Sequence, residues 1–117
     1  MSSRPDCLFC RIIAGDEPAE FLVQGDNVVV FEDKFPRAPV HHLVVPVEHV
    51  DSAHDLGPAH DELLSECFAL TRQVATTAGI ADGYRVVTNV GAGGGQAIAH
   101  LHFHVLGGKQ LGHVDGA

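Results

Sequence analysis

Basic residues are scarce in this sequence. Seven Lys and Arg stand against fifteen Asp and Glu, which gives a formal net charge of −8 when His is neutral. Binding to polymeric nucleic acid needs a broad basic surface, so this charge balance excludes that class of partner. A mononucleotide held at a small local site stays compatible with the composition.

Long apolar runs and cysteines are also few. No apolar stretch approaches the roughly 20 residues that a transmembrane helix needs, so we expect no membrane partner. The opening segment MSSRPDC lacks the apolar core of a signal peptide, which predicts a cytoplasmic protein. Three cysteines, an odd number, do not make a disulfide framework in that compartment. The length of 117 residues predicts one domain over residues 1–117.

Apolar periodicity and turn signals predict five strands and two helices. The strands are expected at 19–24, 28–33, 41–49, 84–90 and 99–107, with a short helix at 7–14 and a long one at about 58–78. Gly15 and Gly79 are natural helix ends, and Gly25-Asp26-Asn27 is a hairpin signal. This order predicts an α+β fold, an antiparallel sheet with its helices on one face.

Histidine, in contrast, is abundant, with nine residues, and three of the nine share one segment. In AHLHFHVLGG (99–108), His100, His102 and His104 occupy every second position. Side chains alternate along a strand, so the three imidazoles should line one face while the apolar residues between them bury the other. The rings could be zinc ligands, or one could be a nucleophile whose tautomer its neighbours fix. Spacing alone leaves both open, and three strand histidines without a role are the less favoured alternative.

A glycine-rich segment, GAGGGQ (91–96), directly precedes these histidines. Glycines let backbone N–H groups approach an anion, so the segment could cradle a phosphate. A flexible hairpin loop is about equally plausible for the segment alone. Its position beside three histidines favours the cradle. The segment matches neither a Walker A motif nor a dinucleotide fingerprint.

The pair Cys7-x2-Cys10 has the spacing of a zinc half-site. A structural zinc needs about four ligands, and His49 and His100 are candidates by residue type. The alternative is two small buried apolar side chains. Cys67 lies on the apolar stripe of the long helix and is expected to be core.

Further polar candidates stand near strand ends. His41 and His42 are adjacent and point to opposite faces, so one of them can face the same side as the three alternating histidines. Asp33 could accept hydrogen bonds from ribose hydroxyls or be a solvated strand end. Asn89 could be a polar clamp or a turn residue.

Together these blocks resemble a known family. HLHFHVLGG resembles the His-x-His-x-His motif of the histidine triad (HIT) superfamily. CLFCRIIAGDEPAE, FEDKFPRAPVHHLVVP and GYRVVTNVGAGGGQAIAHLHFHVLGG are similar to its nucleotide-binding (Hint) branch, so the resemblance covers about residues 7 to 110. It implies an α+β HIT-like fold with a five-stranded antiparallel sheet and one long and one short helix. It also implies a homodimer whose sheets join into one of ten strands.

The resemblance implies an activity and residue roles as well. Such proteins bind purine nucleotides and hydrolyse bonds at the α-phosphorus, typically in nucleoside phosphoramidates. His102 would attack phosphorus to form a nucleotidyl-histidine, His104 would bind a phosphoryl oxygen, and His41 would orient the nucleophile. The other implied sites are a nucleobase pocket at Phe9, Ile12 and Phe31, a ribose acceptor at Asp33, phosphate contacts at Asn89, Gly95 and Gln96, the leaving-group side at Ala97, and a structural zinc on Cys7, Cys10, His49 and His100. The expected ligand is AMP or an adenosine phosphoramidate.

The chain departs from the family pattern at a few places. Ala97 stands where Ser or Thr is usual, which removes a hydroxyl near the leaving group. Lys109 replaces a common Arg, and the tail LGHVDGA lacks a Trp-Pro-Pro ending. The triad ends in His104 rather than the Gln of the galactose-1-phosphate uridylyltransferase branch, which favours hydrolysis over transfer. Three alternatives stay open: a dinucleoside polyphosphate hydrolase, a nucleotide-binding module with little turnover, and a catalytic zinc enzyme on the triad.

Overall fold

The computed structural model describes residues 4–113. Its helices and strands are α1 (Leu8–Ala14), β1 (Phe21–Gln24), β2 (Val28–Glu32), β3 (Val40–Pro46), α2 (Asp61–Thr77), β4 (Tyr84–Val87) and β5 (Phe103–Gly107). Short 3-10 turns cover Ala53–Asp55, Pro58–His60 and Ala92–Gly94. The five strands form an antiparallel sheet in the order β1-β2-β3-β5-β4. The predicted α+β fold, with five strands, a short helix and a long helix, is confirmed.

The two helices lie on opposite faces of the sheet, so the prediction that both share one face is wrong. One core packs α2 against the sheet through Val28, Val30, Val44, Val50, Cys67, Val74, Ala75, Ile80, Leu101, Phe103 and Val105. The other packs α1 on the opposite face through Cys7, Phe9, Cys10, Ile12, Val29, Phe31, Leu43, Val45 and Val47. The central strands β2 and β3 are buried along almost their whole length rather than at alternate residues. Both of their faces therefore need cover.

Two of the site-bearing strands are shorter than the sequence pattern predicts. β5 begins at Phe103 rather than 99, because the backbone before it bonds elsewhere. The Leu101 N–H donates to the Val50 carbonyl over 2.7 Å, and the Thr88 hydroxyl donates to the His102 carbonyl over 2.8 Å. β3 ends at Pro46, which has no N–H with which to continue a ladder. His49, His100 and His102 therefore lie on irregular backbone outside the strands.

The short helix α1 ends at residue 14 as its sequence predicts and begins one residue later than predicted, at Leu8. Cys7 is the N-cap, and its Sγ accepts a hydrogen bond from the Cys10 N–H over 3.4 Å. Gly15 closes the helix in the left-handed region, with φ of 88°. This local geometry brings the two thiols together at the start of the helix, one turn apart.

The long helix α2 has 17 residues and carries its acidic residues Asp61 and Glu62 in the first turn, where the helix dipole favours them. Cys67 is buried in the core as predicted. Burial raises the pKa of its thiol to about 12, so it stays protonated. Within the described residues, no helix is long and apolar enough to cross a membrane.

Candidate active site and metal centre

In the part of the chain that the structure describes, the hydrogen bond of the His102 ring leaves its other nitrogen free to react. Its Nδ1–H donates to the His100 carbonyl over 2.7 Å, since a carbonyl oxygen can only accept. Burial lowers the pKa of the ring, so His102 is neutral near pH 7. The His102 and Phe9 rings pack edge to face, with their centroids 5.0 Å apart. The Nε2 atom therefore keeps an unshared electron pair.

His104 is fixed in the opposite tautomer by a chain of hydrogen bonds. The Arg37 backbone N–H donates to His41 Nδ1 over 3.1 Å, so the proton of a neutral His41 must be on Nε2. That Nε2–H donates to His104 Nδ1 over 2.9 Å. Burial, with the neighbouring His102 and His41, lowers the pKa of His104 to about 4. A neutral His104 must then carry its proton on Nε2 and present a hydrogen-bond donor.

The site thus combines a lone pair and a donor on two neighbouring rings. The ring centroids of His102 and His104 are 5.0 Å apart. Burial also lowers the pKa of His41, so all three rings are neutral near pH 7. A neutral imidazole with a free nitrogen can act as a nucleophile. The adjacent N–H can stabilise negative charge that develops beside it.

The structure places His41 against His104, not against His102. β3 pairs Leu43 with His104, so the His41 side chain lies diagonally across from His104 on the same face of the sheet. The resemblance implied that His41 orients the nucleophile His102. Among the described contacts, the ring neighbours of His102 are Phe9 and His104. His41 can therefore act on His102 only through His104.

His41 also lies beside a carboxylate, that of Asp33. Asp33, His41 and His104 have potential ligand atoms within 4.8 Å of one another. The His41 Nε2 atom lies 3.3 Å from Asp33 Oδ2. However, the Arg37 N–H holds the proton of His41 on Nε2, the nitrogen that a metal would need. The donor set therefore fits a hydrogen-bonded group rather than a metal site.

The four sequence-predicted metal ligands do meet in space. Cys7, Cys10, His49 and His100 offer ligand atoms that all lie within 4.8 Å of one another. Cys7 Sγ is 3.4 Å from His100 Nδ1, and Cys10 Sγ is 3.4 Å from His49 Nδ1 and 3.6 Å from His100 Nδ1. Zinc bond lengths of about 2.3 Å to sulfur and 2.05 Å to nitrogen, at tetrahedral angles, put S and N about 3.6 Å apart. These three sulfur–nitrogen distances match those of a Cys₂His₂ zinc site.

The outer contacts of the two histidines also fit a metal. His100 Nε2–H donates to the Pro46 carbonyl over 2.8 Å, and His49 Nε2–H donates to Asp51 Oδ1 over 2.9 Å. Each ring therefore turns an unprotonated Nδ1 toward the thiols, as a metal ligand must. None of the three cysteines forms a disulfide. These residues could hold a zinc ion with all four positions closed.

The glycine-rich loop is held together by its own polar groups. Asn89 Nδ2 donates to the Gly94 carbonyl over 2.9 Å, and Gly95 has φ of 87°. The amides of Gly94, Gly95 and Gln96 donate to carbonyls within the loop, so they are not free for a phosphate. In contrast, the amides of residues 97–99 have no acceptor among the described residues. The amides of Ala92 and Gly93 likewise have no acceptor in that part of the chain, so free anion donors lie both within the glycine-rich loop and directly after it.

Apolar and aromatic side chains border the histidines on the α1 side. Phe9, Ile12 and Phe31 are buried together in the second core. The rings of Phe9 and Phe31 pack edge to face, with centroids 5.6 Å apart. Asp33 follows directly after β2, where its Oδ1 accepts the Phe35 N–H over 2.8 Å. The implied base and ribose residues therefore lie on neighbouring elements beside the triad.

A cleft of about 330 Å³ opens beside the metal cluster. Cys7, His49, Asp51 and Ala97 are among its lining residues, and His102 is not. The cleft therefore reaches the thiol and imidazole side of the site. It does not enclose the atoms of the triad.

Three residues with polar roles were not found from the sequence. The Asp51 carboxylate accepts a hydrogen bond from the His49 ring. The Thr88 hydroxyl holds the His102 carbonyl, and the Arg37 backbone amide sets the tautomer of His41. Asp51 stands two residues after His49, which was a weak available signal. The other two act through contacts that no spacing reveals.

Fold and site together define an α+β protein with alternating histidines, a further histidine on the adjacent strand β3 and a Cys/His cluster. The family model for the HIT domain matches residues 14–111. The chain belongs to the HIT domain family. An uncharacterized HIT-like protein of Chlamydia muridarum is 42% identical over 107 residues, covering 92% of this chain and 85% of the relative. Protein HitA of Neisseria gonorrhoeae is 37% identical over 102 residues, covering 87% and 95%.

Solved structures of the family superpose closely on this fold. A histidine triad protein from Clostridium difficile has a TM-score of 0.90 and 38% identity, covering 97% of this chain and 98% of its own. A HIT family hydrolase from Clostridium thermocellum has a TM-score of 0.90 and 35% identity, covering 93% and 96%. A HIT family hydrolase from Legionella pneumophila has a TM-score of 0.88 and 39% identity, covering 90% and 95%.

Proposed function

We propose that residues 1–117 form one histidine triad domain that acts in the cytoplasm as a purine-nucleotide hydrolase. Its substrate class is nucleoside phosphoramidates, which it cleaves at the α-phosphorus. The opposite tautomers of His102 and His104 carry the proposal, because they set a nucleophile beside a donor. The family supports it: the relatives from C. thermocellum and L. pneumophila are named as hydrolases, and one from Sulfolobus tokodaii, 31% identical, is named as a nucleotide-binding protein.

The first chemical step uses the free nitrogen of His102. Its Nε2 electron pair forms a bond to the α-phosphorus while the phosphorus–nitrogen bond to the leaving amine breaks. The amine nitrogen takes that electron pair and gains a proton from solvent. The product is a nucleotidyl group on His102, whose imidazolium charge the His100 carbonyl stabilises through Nδ1–H.

The second step returns the enzyme to its starting state. Water attacks phosphorus, the bond to Nε2 breaks, and the electron pair returns to His102 while a proton goes to solvent. In both steps the Nε2–H of His104 donates to a phosphoryl oxygen, and the free amides of residues 97–99 give further donors. His41 acts as a positioning residue that fixes the tautomer of His104.

The nucleoside would lie along the α1 side of the triad. The purine would contact the apolar cluster of Phe9, Ile12 and Phe31, and the ribose hydroxyls would donate to Asp33. Asn89, Gly95 and Gln96 would hold the loop beside the phosphate, and Ala97 would face the leaving group without a hydroxyl to assist it. Apolar walls with a few fixed polar groups are typical of nucleotide sites.

The metal in this proposal is a structural zinc on Cys7, Cys10, His49 and His100. Bound zinc would close all four positions and supply stability rather than a reactive water. The unprotonated Nδ1 atoms of both histidines support this choice. Reduced thiols, as expected in the cytoplasm, leave Cys7 and Cys10 available as ligands.

We also propose a homodimer that joins two sheets into one of ten strands. The sheet has two edges, β1 and β4. The register of β1 shifts between Phe21 and Val23, an irregularity that protects an edge from further pairing. The pairing of β4 with β5 is regular along Tyr84–Val87. β4 is therefore the edge that suits a partner strand.

The deciding experiment is turnover of a fluorogenic adenosine phosphoramidate. His102→Ala should lower kcat by about 10³-fold or more while AMP still binds, because the nucleophile is lost. His54→Ala, at an exposed histidine outside the site, is the matched control and should keep native turnover. Unchanged turnover in His102→Ala would refute the proposed nucleophile.

A nucleotide-binding module is the second candidate, and Ala97 is the residue that favours it. Without a hydroxyl near the leaving group, the native chain could bind AMP and turn over slowly. No turnover of the phosphoramidate by the native chain, with AMP bound, would support this candidate. A dinucleoside polyphosphate tested in the same assay separates the remaining hydrolase alternative.

A further inference from the structure

The Gln96 side chain uses all of its hydrogen-bonding groups inside the protein. Its Oε1 accepts the Gly91 N–H over 2.8 Å. Its Nε2 donates to the Asp51 carbonyl over 2.7 Å and to the Ile98 carbonyl over 2.9 Å. An amide NH₂ has two hydrogens, so no donor is left for a phosphate. Gln96 is therefore suited to hold structure together rather than to contact a ligand.

One of these bonds ends at the metal centre. Asp51 accepts from Gln96 with its backbone carbonyl and from the His49 ring with its Oδ1 atom. His49 in turn directs Nδ1 toward Cys10 Sγ, 3.4 Å away. A metal ion on this cluster would fix the His49 ring and, through it, the position of Asp51.

The other bonds of Gln96 end at the backbone that would meet a phosphate. Gly91 begins the glycine-rich loop, and Ile98 lies among residues 97–99, whose amides have no acceptor in the described chain. A phosphate bound to those amides would favour the same backbone arrangement that Gln96 holds. The two sites are thus joined through one side chain.

We infer that Gln96 is a positioning residue that couples metal loading to nucleotide binding. The inference rests on the proposed function, in which this protein binds both zinc and a nucleotide. Such coupling is reciprocal, so a nucleotide must raise zinc affinity by the same factor by which zinc raises nucleotide affinity. Neither quantity requires turnover.

The test is the zinc affinity of the native protein by competition with a chromophoric chelator, with and without saturating AMP. We expect AMP to raise zinc affinity about tenfold in the native protein, and less than about twofold in Gln96→Met. Gln24→Met, at an exposed residue of the edge strand β1, is the matched control and should keep the native ratio. A residue that only supports the fold would lower zinc affinity equally with and without AMP, which leaves the ratio unchanged.

The outcomes separate this inference from the proposed function. A native protein that binds zinc and AMP with a ratio of one would overturn the coupling alone, as would an unchanged ratio in Gln96→Met. A native protein that binds zinc but no AMP would overturn the proposed function and this inference with it. If Gln96→Met loses its far-UV circular dichroism signal, Gln96→Glu replaces it, since it keeps an acceptor for Gly91 but cannot donate to Asp51.

Discussion

His102 and His104 are the same side chain two residues apart, and their hydrogen-bond partners make them different reagents. The carbonyl beside His102 requires a proton on Nδ1. The His41 Nε2–H beside His104 requires a lone pair on Nδ1. Burial keeps both rings neutral near pH 7, so neither assignment is lost to protonation. At the scale of single residues, the tautomers of the two rings therefore decide which ring can act as nucleophile and which as hydrogen-bond donor.

His42, which follows His41 on β3, affects the stability of the fold rather than the proposed chemistry. It is buried, and its Nδ1 has no hydrogen-bond partner among the described residues. Burial lowers its pKa, against the opposing effect of Glu32. Because the ring is harder to protonate in the folded state, protonation below about pH 6.5 favours unfolding.

We therefore predict that His42→Phe raises the free energy of unfolding by about 1 kcal/mol at about pH 8, by removing an unpaired buried nitrogen. The gain should be larger at about pH 5, where the native protein also loses stability through His42. Urea denaturation at both pH values measures this. His54→Phe, at an exposed site, should show no such pH-dependent gain. A loss of stability in His42→Phe at both pH values would contradict the prediction.

Among the secondary-structure elements, β5 packs so closely at its C-terminal end that Gly107 has little room for a side chain. A Cβ at Gly107 would lie 2.7 Å from Ile80 Cδ1 and 3.3 Å from Tyr84 Cβ. Ile80 is buried in the α2 core and cannot easily move away. Gly107 pairs with both Val40 and Tyr84, so it lies between two strands. The absence of a side chain is what allows this approach.

Gly107→Ala should accordingly lower the free energy of unfolding by about 1–3 kcal/mol through overpacking. Gly83→Ala is the control, because no atom of the described residues lies within 4 Å of a Cβ there, and it should change stability by less than about 0.5 kcal/mol. Chemical denaturation of both variants gives the comparison. Equal effects of the two substitutions would show that close packing at Gly107 does not restrict this strand.

At the scale of the whole molecule, the proposed dimer would continue the sheet past β4 into a second chain. The chain mass is 12.4 kDa, and the proposed joining of β4 edges would double it. We predict about twice the chain mass by light scattering, with protection of the outward β4 amides from hydrogen exchange. The outward amides of β1 supply the internal comparison and should exchange quickly. A mass of one chain, or equal exchange at both edges, would refute the dimer.

The sequence alone determined the elements and the candidate residues, because those signals are local. Apolar periodicity and turn signals predicted five strands, and the glycines at 15 and 79 ended the helices close to where the structure ends them. The spacing of Cys7 and Cys10 and of the three alternating histidines needed no tertiary information. The resemblance of these blocks to the HIT family agrees with the family match over residues 14–111.

The tertiary structure decided which of these residues meet and in what state. Cys7 and His100 are 93 positions apart, and only the packing of α1 against the irregular segment before β5 brings them within 3.4 Å. β2 and β3 carry apolar side chains on both faces, and the helices cover opposite faces, although the order of elements predicted one face. Tautomers and the partners of His41 and Gln96 depend on single hydrogen bonds between distant segments. Such bonds form only when the chain has folded, so no local pattern encodes them.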